Sequence, residues 1–365
     1  MNRKLKKFIK SPGIFFRDYL NKRYPVKNCE QGFIDFEENN VYLVENYINK
    51  LDQTLNYTSN FDVDVVFTWV NDQDPHWKNK KREALKEYCE FTEFSNNDAR
   101  FENHNELFYS VNSVLKYLTW VRNIYIVTDN QLPIILEENE KIKIVDHLDI
   151  IDKKYLPTYN SHVIEANLHK IEGLSENFIY FNDDVFVAKP LEKSHFFRKN
   201  QIASIFVSEK NIYDMEKRGV ITPTLRAYKN CIPLIKKRYG IEVRNALVHT
   251  YIPLKKSMYQ KAWNYYEKEI ESFLKNKLRD KNDLNLATFL VPWISYLEGK
   301  AIVSTEICYY FNIRSPVAKT QYANLISKKG NRPHSMCIND SLNYKGENKK
   351  FSQDFKKFMQ EFYNE

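Results

Sequence analysis

Short apolar segments rich in β-branched residues alternate with helical patterns over the first half of the chain. Segments 61–70 and 123–128 predict buried strands, and 142–145 and 177–181 predict two more. Between them, apolar residues at helical spacing over 105–118 predict a helix. Strands that alternate with helices predict an α/β fold whose functional site lies at the carboxyl ends of the strands.

The second half of the chain has a different pattern, in which long amphipathic stretches replace the short apolar runs. Segments 225–240, 256–280 and 283–298 predict helices with lysine-rich faces, and strand-like pieces occur at 203–208 and 301–311. This half therefore predicts a mainly helical region beside the α/β core. The charged end of the chain predicts a frayed surface helix.

Positive charge is concentrated at the amino terminus. The chain has 55 Lys and Arg against 47 Asp and Glu, a net charge of +8, and residues 1–27 carry all of that excess. Because nucleic-acid binders usually spread basic residues over the folded body, no nucleic-acid partner is expected. The basic residues of this segment alternate with apolar ones, without the unbroken apolar stretch of a signal peptide. The segment predicts either a solvated or partner-binding basic helix, or an amphipathic foot on an anionic membrane surface.

The sequence lacks the patterns of membrane spans and disulfide frameworks. Its longest apolar run, 285–297, contains Pro292 and is shorter than the ~18 residues of a membrane span. The five cysteines are odd in number, far apart and contain no CxxC pair. A soluble or peripheral protein of a reducing cytoplasm is therefore expected.

Acidic turns follow two of the predicted strands. Asp72 and Asp74 come after the first strand, and the fourth strand runs into Asn182, Asp183 and Asp184. Aspartates in such places often cap helices or stabilise turns. Aspartate pairs also hold Mg²⁺ or Mn²⁺ on a diphosphate, because hard oxygen ligands suit these cations. Two such turns leave both interpretations open.

Histidines give a weaker signal. His162, Glu165 and His169 are spaced to share one face of a predicted helix over 162–171, but their spacing is not that of an HExxH motif, and zinc is not expected. Three further candidates carry little information alone: His249, Arg279 and Asp340. The chain contains no GxxxxGK[ST], GxGxxG or GxSxG motif. This argues against a P-loop kinase, a nicotinamide dehydrogenase and a serine hydrolase.

Four blocks of sequence, taken together, resemble the Stealth family of hexose-1-phosphate transferases. That family includes bacterial capsular polysaccharide phosphotransferases and the catalytic chain of the lysosomal-enzyme GlcNAc-1-phosphotransferase. The blocks stand in the family's order: DVVFTWVNDQDPHW at 64–77, the segment 100–133, the segment 156–191 continued through 238–257, and CINDS at 337–341. One departure is Asp72, where many members have glycine.

The resemblance implies a GT-A-like α/β fold, a nucleotide-sugar-binding mixed sheet with helices on both faces. It implies an enzyme of capsule synthesis that transfers a sugar-1-phosphate from a UDP-sugar, a UDP-hexose or UDP-HexNAc, to a saccharide hydroxyl. The products are UMP and a phosphodiester, because attack falls on the phosphorus bound to the sugar. The acceptor is an oligosaccharide or a lipid-linked saccharide, which places the enzyme in the cytoplasm, peripherally on the bacterial inner membrane.

The resemblance also assigns roles to residues. Asp184 is implied as a metal ligand or general base, and His249 is the alternative base. Arg279 would hold phosphate oxygens, and Asp340 would complete the acidic site. Asp183 and Asp184 are the implied ligands of Mg²⁺ or Mn²⁺. The implied substrate-binding residues are Asn71, Asp72, Arg100, Glu165, His169 and Asn182.

These expectations divide the chain into a basic segment, 1–27, a catalytic domain, 28–341, and a charged tail, 342–365. Within the catalytic domain, the α/β core covers about 61–210 and 300–341, and the helical region about 211–299. Two other functions remain open from the residues alone: an ordinary glycosyltransferase of capsule synthesis, and a non-catalytic saccharide-binding scaffold.

Overall fold

The chain folds around a five-stranded sheet with strand order β3-β2-β1-β4-β9. The computed structural model describes residues 8–23, 60–86, 104–133, 139–220, 222–327, 332–340 and 350–364. The strands are β1 Val63–Thr68, β2 Ile124–Thr128, β3 Ile142–Asp146, β4 Asn177–Asn182, β5 Val185–Val187, β6 Ala203–Ile205, β7 Val207–Asn211, β8 Asn245–Leu247, β9 Ile252–Lys255, β10 Ala301–Val303, β11 Cys308–Asn312 and β12 Ser335–Asn339. The expectation of a mixed α/β sheet is confirmed, because β1 to β4 pair in parallel and β9 is antiparallel to β4.

Helices connect and cover these strands. They are α1 Pro12–Arg23, α2 Pro75–Lys86, α3 Glu106–Tyr117, α4 His147–Ile150, α5 Ser161–Glu165, α6 Lys193–Phe196, α7 Ile212–Lys217, α8 Pro223–Tyr239, α9 Lys256–Leu274, α10 Val291–Leu297, α11 Ala318–Ser327 and α12 Phe351–Tyr363. A π-helical turn, Leu286–Leu290, leads into α10. The segment 211–299 is mainly helical, but it also supplies β9 to the central sheet.

The central strand β1 is apolar because it is buried on both faces, as is usual in parallel sheets. Its one charged residue, Asp64, is fully buried. The Asp64 carboxylate accepts hydrogen bonds from Arg122 Nε at 2.9 Å, from the Ser175 backbone N–H at 2.7 Å and from the Asn123 backbone N–H at 3.1 Å. These partners compensate for burial of the charge and lie at the amino end of the strand.

A second sheet, β11-β12-β5, adjoins the first. β5 begins three residues after β4 ends, so Asp183 and Asp184 form the turn between the two sheets. The segment 301–311, which the pattern predicts as one strand, is two strands in different sheets. After β10 pairs with β6, the chain crosses to β11 through the buried Glu306.

The carboxyl-terminal helix α12 corrects the expectation of a frayed surface helix. One of its faces is buried in a second apolar cluster, together with α11 and the sheet that contains β12. The buried side chains of this face are Phe355, Phe358, Met359 and Phe362. Their helical spacing makes an apolar stripe, and burying that stripe outweighs the charge of the segment.

We expect Phe358→Ala to lower the free energy of unfolding by about 3–5 kcal/mol, because truncation of a buried aromatic leaves a cavity. Phe358 is 2% exposed and stacks on Tyr322 with ring centroids 4.4 Å apart. Urea unfolding measures the loss. Leu148→Ala is the control, since Leu148 is 56% exposed, and equal effects of the two substitutions would contradict the packing of α12.

Helix α1 lies within the basic segment and exposes apolar side chains. Phe16, Tyr19 and Leu20 are each about half exposed, and Ile9 just before the helix is 62% exposed. Within the described residues, no helix combines the length and the apolarity needed to cross a bilayer.

Candidate active site

The turn between β4 and β5 carries the acidic centre that the sequence predicts. Strand β12 holds this turn: the Ile338 backbone N–H donates to the Asp184 carbonyl at 2.9 Å. Asn339 Nδ2 donates to Asp184 Oδ2 at 3.0 Å, and Cys337 Sγ lies 3.5 Å from the same oxygen. His249, the alternative base of the sequence analysis, lies beside this turn, with its Nε2 3.9 Å from Asp184 Oδ2. The histidine side chain is 44% exposed, and the aspartate side chain is 16% exposed.

Glu106, in the first turn of α3, is a third carboxylate of this centre and one that sequence reasoning missed. Burial raises the pKa of Glu106 to about 7, and the charge of Asp184 acts in the same direction. Burial and the charges of Asp184 and Glu106 also raise the pKa of Asp183 well above its usual value. The three carboxylates therefore repel one another in the absence of a cation.

The acidic centre fits a hard divalent cation. Asp184 Oδ1 is buried and accepts no hydrogen bond from the described residues. Carboxylate oxygens that lack donors and repel one another are suitable ligands for Mg²⁺ or Mn²⁺. Other carboxylate oxygens of this centre do accept N–H groups: the His104 backbone donates to Glu106 Oε2 at 2.6 Å, and Asn339 Nδ2 donates to Asp184 Oδ2.

Asp340 lies beside this centre, but its carboxylate is already engaged. Arg314 binds both carboxylate oxygens, with Nη2 2.8 Å from Oδ2, and His104 Nε2 is 3.0 Å from Oδ2. Burial alone would raise the pKa of Asp340, but hydrogen bonds from Arg314 and His104 outweigh it and lower the pKa. Asp340 thus joins the end of β12 to the residues that precede Glu106.

Arg279 is fixed on a loop by a buried hydrogen-bond network. Asp283, fully buried, accepts from Asn160 Nδ2 at 2.8 Å and from Asn276 Nδ2 at 2.8 Å, and pairs with His162 Nδ1 at 3.0 Å. The loop so anchored lies against α5, where Arg279 Nη2 donates to Ser161 Oγ at 2.7 Å.

Glu165 connects this loop to the acidic turn. It is buried, and burial raises its pKa although the charges of His162 and Arg279 oppose the shift. The charge of Glu165 in turn raises the pKa of Tyr180, together with burial. Tyr180 OH donates to Asn182 Oδ1 at 2.8 Å. Glu165 and Asn182 are therefore linked through one buried tyrosine.

His169 does not share a site with these residues. Helix α5 ends at Glu165, and a separate 3-10 turn, Leu168–Lys170, turns the histidine toward α9. There its ring stacks on Tyr259 with centroids 5.3 Å apart, and burial lowers its pKa to about 3. These contacts make His169 a packing residue and correct the expectation that it lines the site.

The loop after β1 carries the expected donor-binding residues. Gln131 lies in the loop after β2. Its Oε1 accepts from the Asn71 backbone N–H at 2.7 Å, and its Nε2 donates to Asp74 Oδ2 at 3.1 Å. The side chain of Asp72 accepts from Gln73 Nε2 at 3.2 Å. Arg100, the third expected donor-binding residue, lies outside the described residues.

Buried polar groups collect beneath this loop, at the carboxyl ends of β2 and β3. Asp129 pairs with Lys80 Nζ at 2.5 Å and lies 4.0 Å from His147 Nδ1. Asp129 Oδ2, both ring nitrogens of His147 and the Tyr159 hydroxyl are buried and make no hydrogen bond with described residues. Burial lowers the pKa of His147 to about 4, so its ring is neutral at pH 7.

Comparison with family models matches two regions of the chain. The model of Stealth protein CR1, conserved region 1, matches residues 61–89, which contain β1 and the loop after it. The model of Stealth protein CR2, conserved region 2, matches residues 100–205, which contain Glu106 and the Asp183-Asp184 turn.

Similar proteins of full length come from several bacteria. The capsular polysaccharide phosphotransferase fcs1 of Haemophilus influenzae is 57% identical over 93% of this chain and 94% of its own. A capsular polysaccharide phosphotransferase of Actinobacillus suis is 54% identical over 100% and 99% of the two chains. The capsular polysaccharide phosphotransferase LcbA of Neisseria meningitidis is 51% identical over 93% of each chain.

Solved structures give only a distant likeness. The galactosyltransferase LgtC, in complex with donor and acceptor sugar analogues, is 9% identical, with 81% of this chain and 95% of that chain covered and a TM-score of 0.38. A TM-score this low carries no argument about function, so the fold rests on the sheet topology of the chain itself.

Proposed function

Because the chain belongs to the Stealth protein family, we propose that it is a capsular polysaccharide phosphotransferase that transfers a sugar-1-phosphate from a UDP-sugar to a saccharide hydroxyl. The acceptor oxygen forms a bond to the phosphorus that carries the sugar. The bond from that phosphorus to the oxygen bridging to UMP breaks, and UMP leaves with the bridging oxygen. The acceptor proton passes to a base on the protein.

The observation that carries the proposal is the approach of His249 to Asp184 at the junction of the two sheets, where the charge of Asp184 also acts on Glu106. Phosphoryl transfer depends mainly on positioning and charge neutralisation, which an acidic metal-binding turn beside a histidine provides. Asp183, Asp184 and Glu106 would hold Mg²⁺ or Mn²⁺. When bound, such a cation neutralises charge on the transferred phosphate.

We assign the base to His249 rather than to Asp184. The carboxylate oxygen of Asp184 that faces the histidine already accepts from Asn339. The His249 ring is 44% exposed, so an acceptor hydroxyl can reach it, and Asp184 stabilises the imidazolium that forms. A neutral histidine is a suitable proton acceptor near neutral pH.

The donor would lie between the acidic turn and the loop after β1. Asn71 and Asp72 would bind its nucleoside end. Arg279, whose guanidinium is held by Ser161 Oγ, would bind phosphate oxygens with its remaining donors.

Nucleotide release from a panel of UDP-sugars, with Mg²⁺ and a short capsule oligosaccharide, tests the proposal. UMP is the expected product. UDP would indicate an ordinary glycosyltransferase. If no donor released nucleotide with any acceptor, while the protein still bound saccharide, the result would favour the non-catalytic scaffold.

The acidic centre predicts a pH-dependent effect of Mg²⁺ on stability. With the pKa of Glu106 raised from 4.5 to about 7, the folded state favours the protonated acid. This preference adds about 3 kcal/mol to the free energy of unfolding. The added stability is complete below pH 4.5 and is lost as the pH rises through 7. A cation offsets the loss, so Mg²⁺ should raise Tm more at pH 8 than at pH 6. Glu106→Gln should reduce this difference, and an undiminished difference in that variant would contradict the assignment.

Residues 1–25 are proposed as a foot on the cytoplasmic face of the inner membrane, where lipid-linked acceptors lie. The exposed Phe16, Tyr19 and Leu20 would enter the headgroup region, and lysines would bind anionic lipid. Deleting residues 1–25 should therefore abolish sedimentation with phosphatidylglycerol vesicles and leave activity on a soluble acceptor unchanged. Loss of activity with unchanged vesicle binding would refute the foot.

A further inference from the structure

A buried carboxylate behind His249 joins four segments of the chain. Glu306 is fully buried. Its Oε2 accepts from Tyr251 OH at 3.0 Å and lies 2.8 Å from His195 Nε2. Its Oε1 accepts from Ser335 OH at 2.5 Å, and Ser335 Oγ lies 2.7 Å from Thr250 Oγ1.

These partners stand next to the residues of the acidic centre. Thr250 and Tyr251 directly follow His249 in the chain. Ser335 begins β12, the strand that brings Asn339 to Asp184. A further contact comes from β11, where Cys308 Sγ lies 3.4 Å from the His249 carbonyl. Glu306 therefore ties together the segment that carries His249 and the strand that holds Asp184.

The cluster is a hydrogen-bond network rather than a metal site. Ligand atoms of His195, Glu306 and His334 do lie within 4.8 Å of one another. However, His334 Nδ1 already accepts from the Ile307 backbone N–H at 3.2 Å, and both Glu306 oxygens accept from hydroxyl donors. Burial alone would raise the pKa of Glu306, but its interactions with the neighbouring histidines, the hydrogen bond from His195 first, outweigh burial and lower the pKa to about 2. The carboxylate is thus ionised and fully engaged by protein donors.

We propose that Glu306 is a positioning residue for the phosphotransfer, which sets the place of the His249 ring relative to Asp184 through Ser335, Thr250 and Tyr251. Its kinetic consequence rests on the proposed function, whereas its effect on the His249 ring does not. Because the network holds Thr250 and Tyr251, which directly follow His249 in the chain, Glu306 acts on the base and not on the donor.

Glu306→Gln tests the proposal kinetically, because the amide turns a donor toward His195 and Tyr251. We expect kcat to fall at least 10-fold while KM for the donor stays within twofold. Asp64→Asn is the matched control: Asp64 is an equally buried carboxylate, held by Arg122 and backbone N–H groups at the amino end of β1. This control should keep kcat per folded molecule, and an equal loss in both variants would overturn the proposal.

Two milder variants keep the proposal testable if Glu306→Gln does not fold. Tyr251→Phe and Ser335→Ala each remove one hydroxyl that donates to Glu306. Each should lower kcat without changing donor KM, and together they should be non-additive, because both act through one carboxylate. Additive effects, or effects confined to KM, would contradict a shared role.

Histidine-labelled NMR provides a readout that does not depend on activity. The chain has eight histidines, and His249→Gln identifies the signal of interest. That signal should shift or split in Glu306→Gln and stay in place in Asp64→Asn. An unmoved signal would overturn the proposal even if no donor is found. An inactive wild-type enzyme with a moved signal would contradict only the proposed function.

The zinc content of the purified protein is a separate test. One equivalent of zinc in wild-type protein, absent from Glu306→Gln, would overturn the proposed positioning role of Glu306.

Discussion

Replacing His249 by alanine is expected to lower kcat by about 10²–10⁴-fold, the usual contribution of a general base. The ring is 44% exposed and lies 3.9 Å from Asp184 Oδ2, so an acceptor hydroxyl can donate its proton there.

Steady-state kinetics at constant pH measure this loss for His249→Ala. Added imidazole should restore part of the rate of this variant, because it supplies the missing base in the vacated space. Imidazole should not restore an Asp184→Asn variant. A folded variant that keeps the wild-type rate would exclude His249 as the base.

Asp184→Asn is expected to have an effect of similar or larger size, a loss of about 10³-fold or several kcal/mol of transition-state stabilisation. The substitution preserves size but removes the charge of a proposed cation ligand whose Oδ1 is buried and accepts no hydrogen bond from described residues. Charge neutralisation of the phosphate should weaken with it. The concentration of Mg²⁺ needed for half-maximal rate should rise.

Mg²⁺ titrations of kcat compare this variant with Asp62→Asn. Asp62 has a side chain that is 65% exposed and lies at the amino end of β1, at the opposite edge of the sheet. Asp62→Asn should behave as wild type. If Asp184→Asn kept both its rate and its Mg²⁺ dependence while folded, the metal assignment would fail.

The sequence predicts the local parts of this fold and site well. The strands β1 and β4 are mostly apolar because they are buried on both faces, and such runs are recognisable without knowing their neighbours. The turn containing Asp183 and Asp184 directly follows β4, so its place at the carboxyl edge of the sheet also follows from local pattern.

Residues that depend on distant pairing are not predictable in this way. His104 and Asp340 are 236 positions apart in the chain, yet they are 3.0 Å apart in space. The local sequence predicts that Glu106 is an ordinary acid in the first turn of a helix. Only the charge of Asp184 nearby in the folded chain indicates that Glu106 belongs to the acidic centre. The expectation that His169 lines the site is not met for a related reason. Its spacing places it beside His162 only if the helix continues past Glu165, and the helix ends there.

The fate of the oxygen that joins C1 of the sugar to phosphorus distinguishes transfer of a sugar-1-phosphate from transfer of the sugar alone. A UDP-sugar labelled with ¹⁸O at that position, incubated with enzyme, Mg²⁺ and acceptor oligosaccharide, is followed by ³¹P NMR. Attack at phosphorus leaves the C1–O bond intact. We therefore expect the ¹⁸O-shifted signal in a new phosphodiester, and we expect the released nucleotide to be unlabelled UMP. Labelled UDP with no phosphodiester signal would show attack at C1 and contradict sugar-1-phosphate transfer.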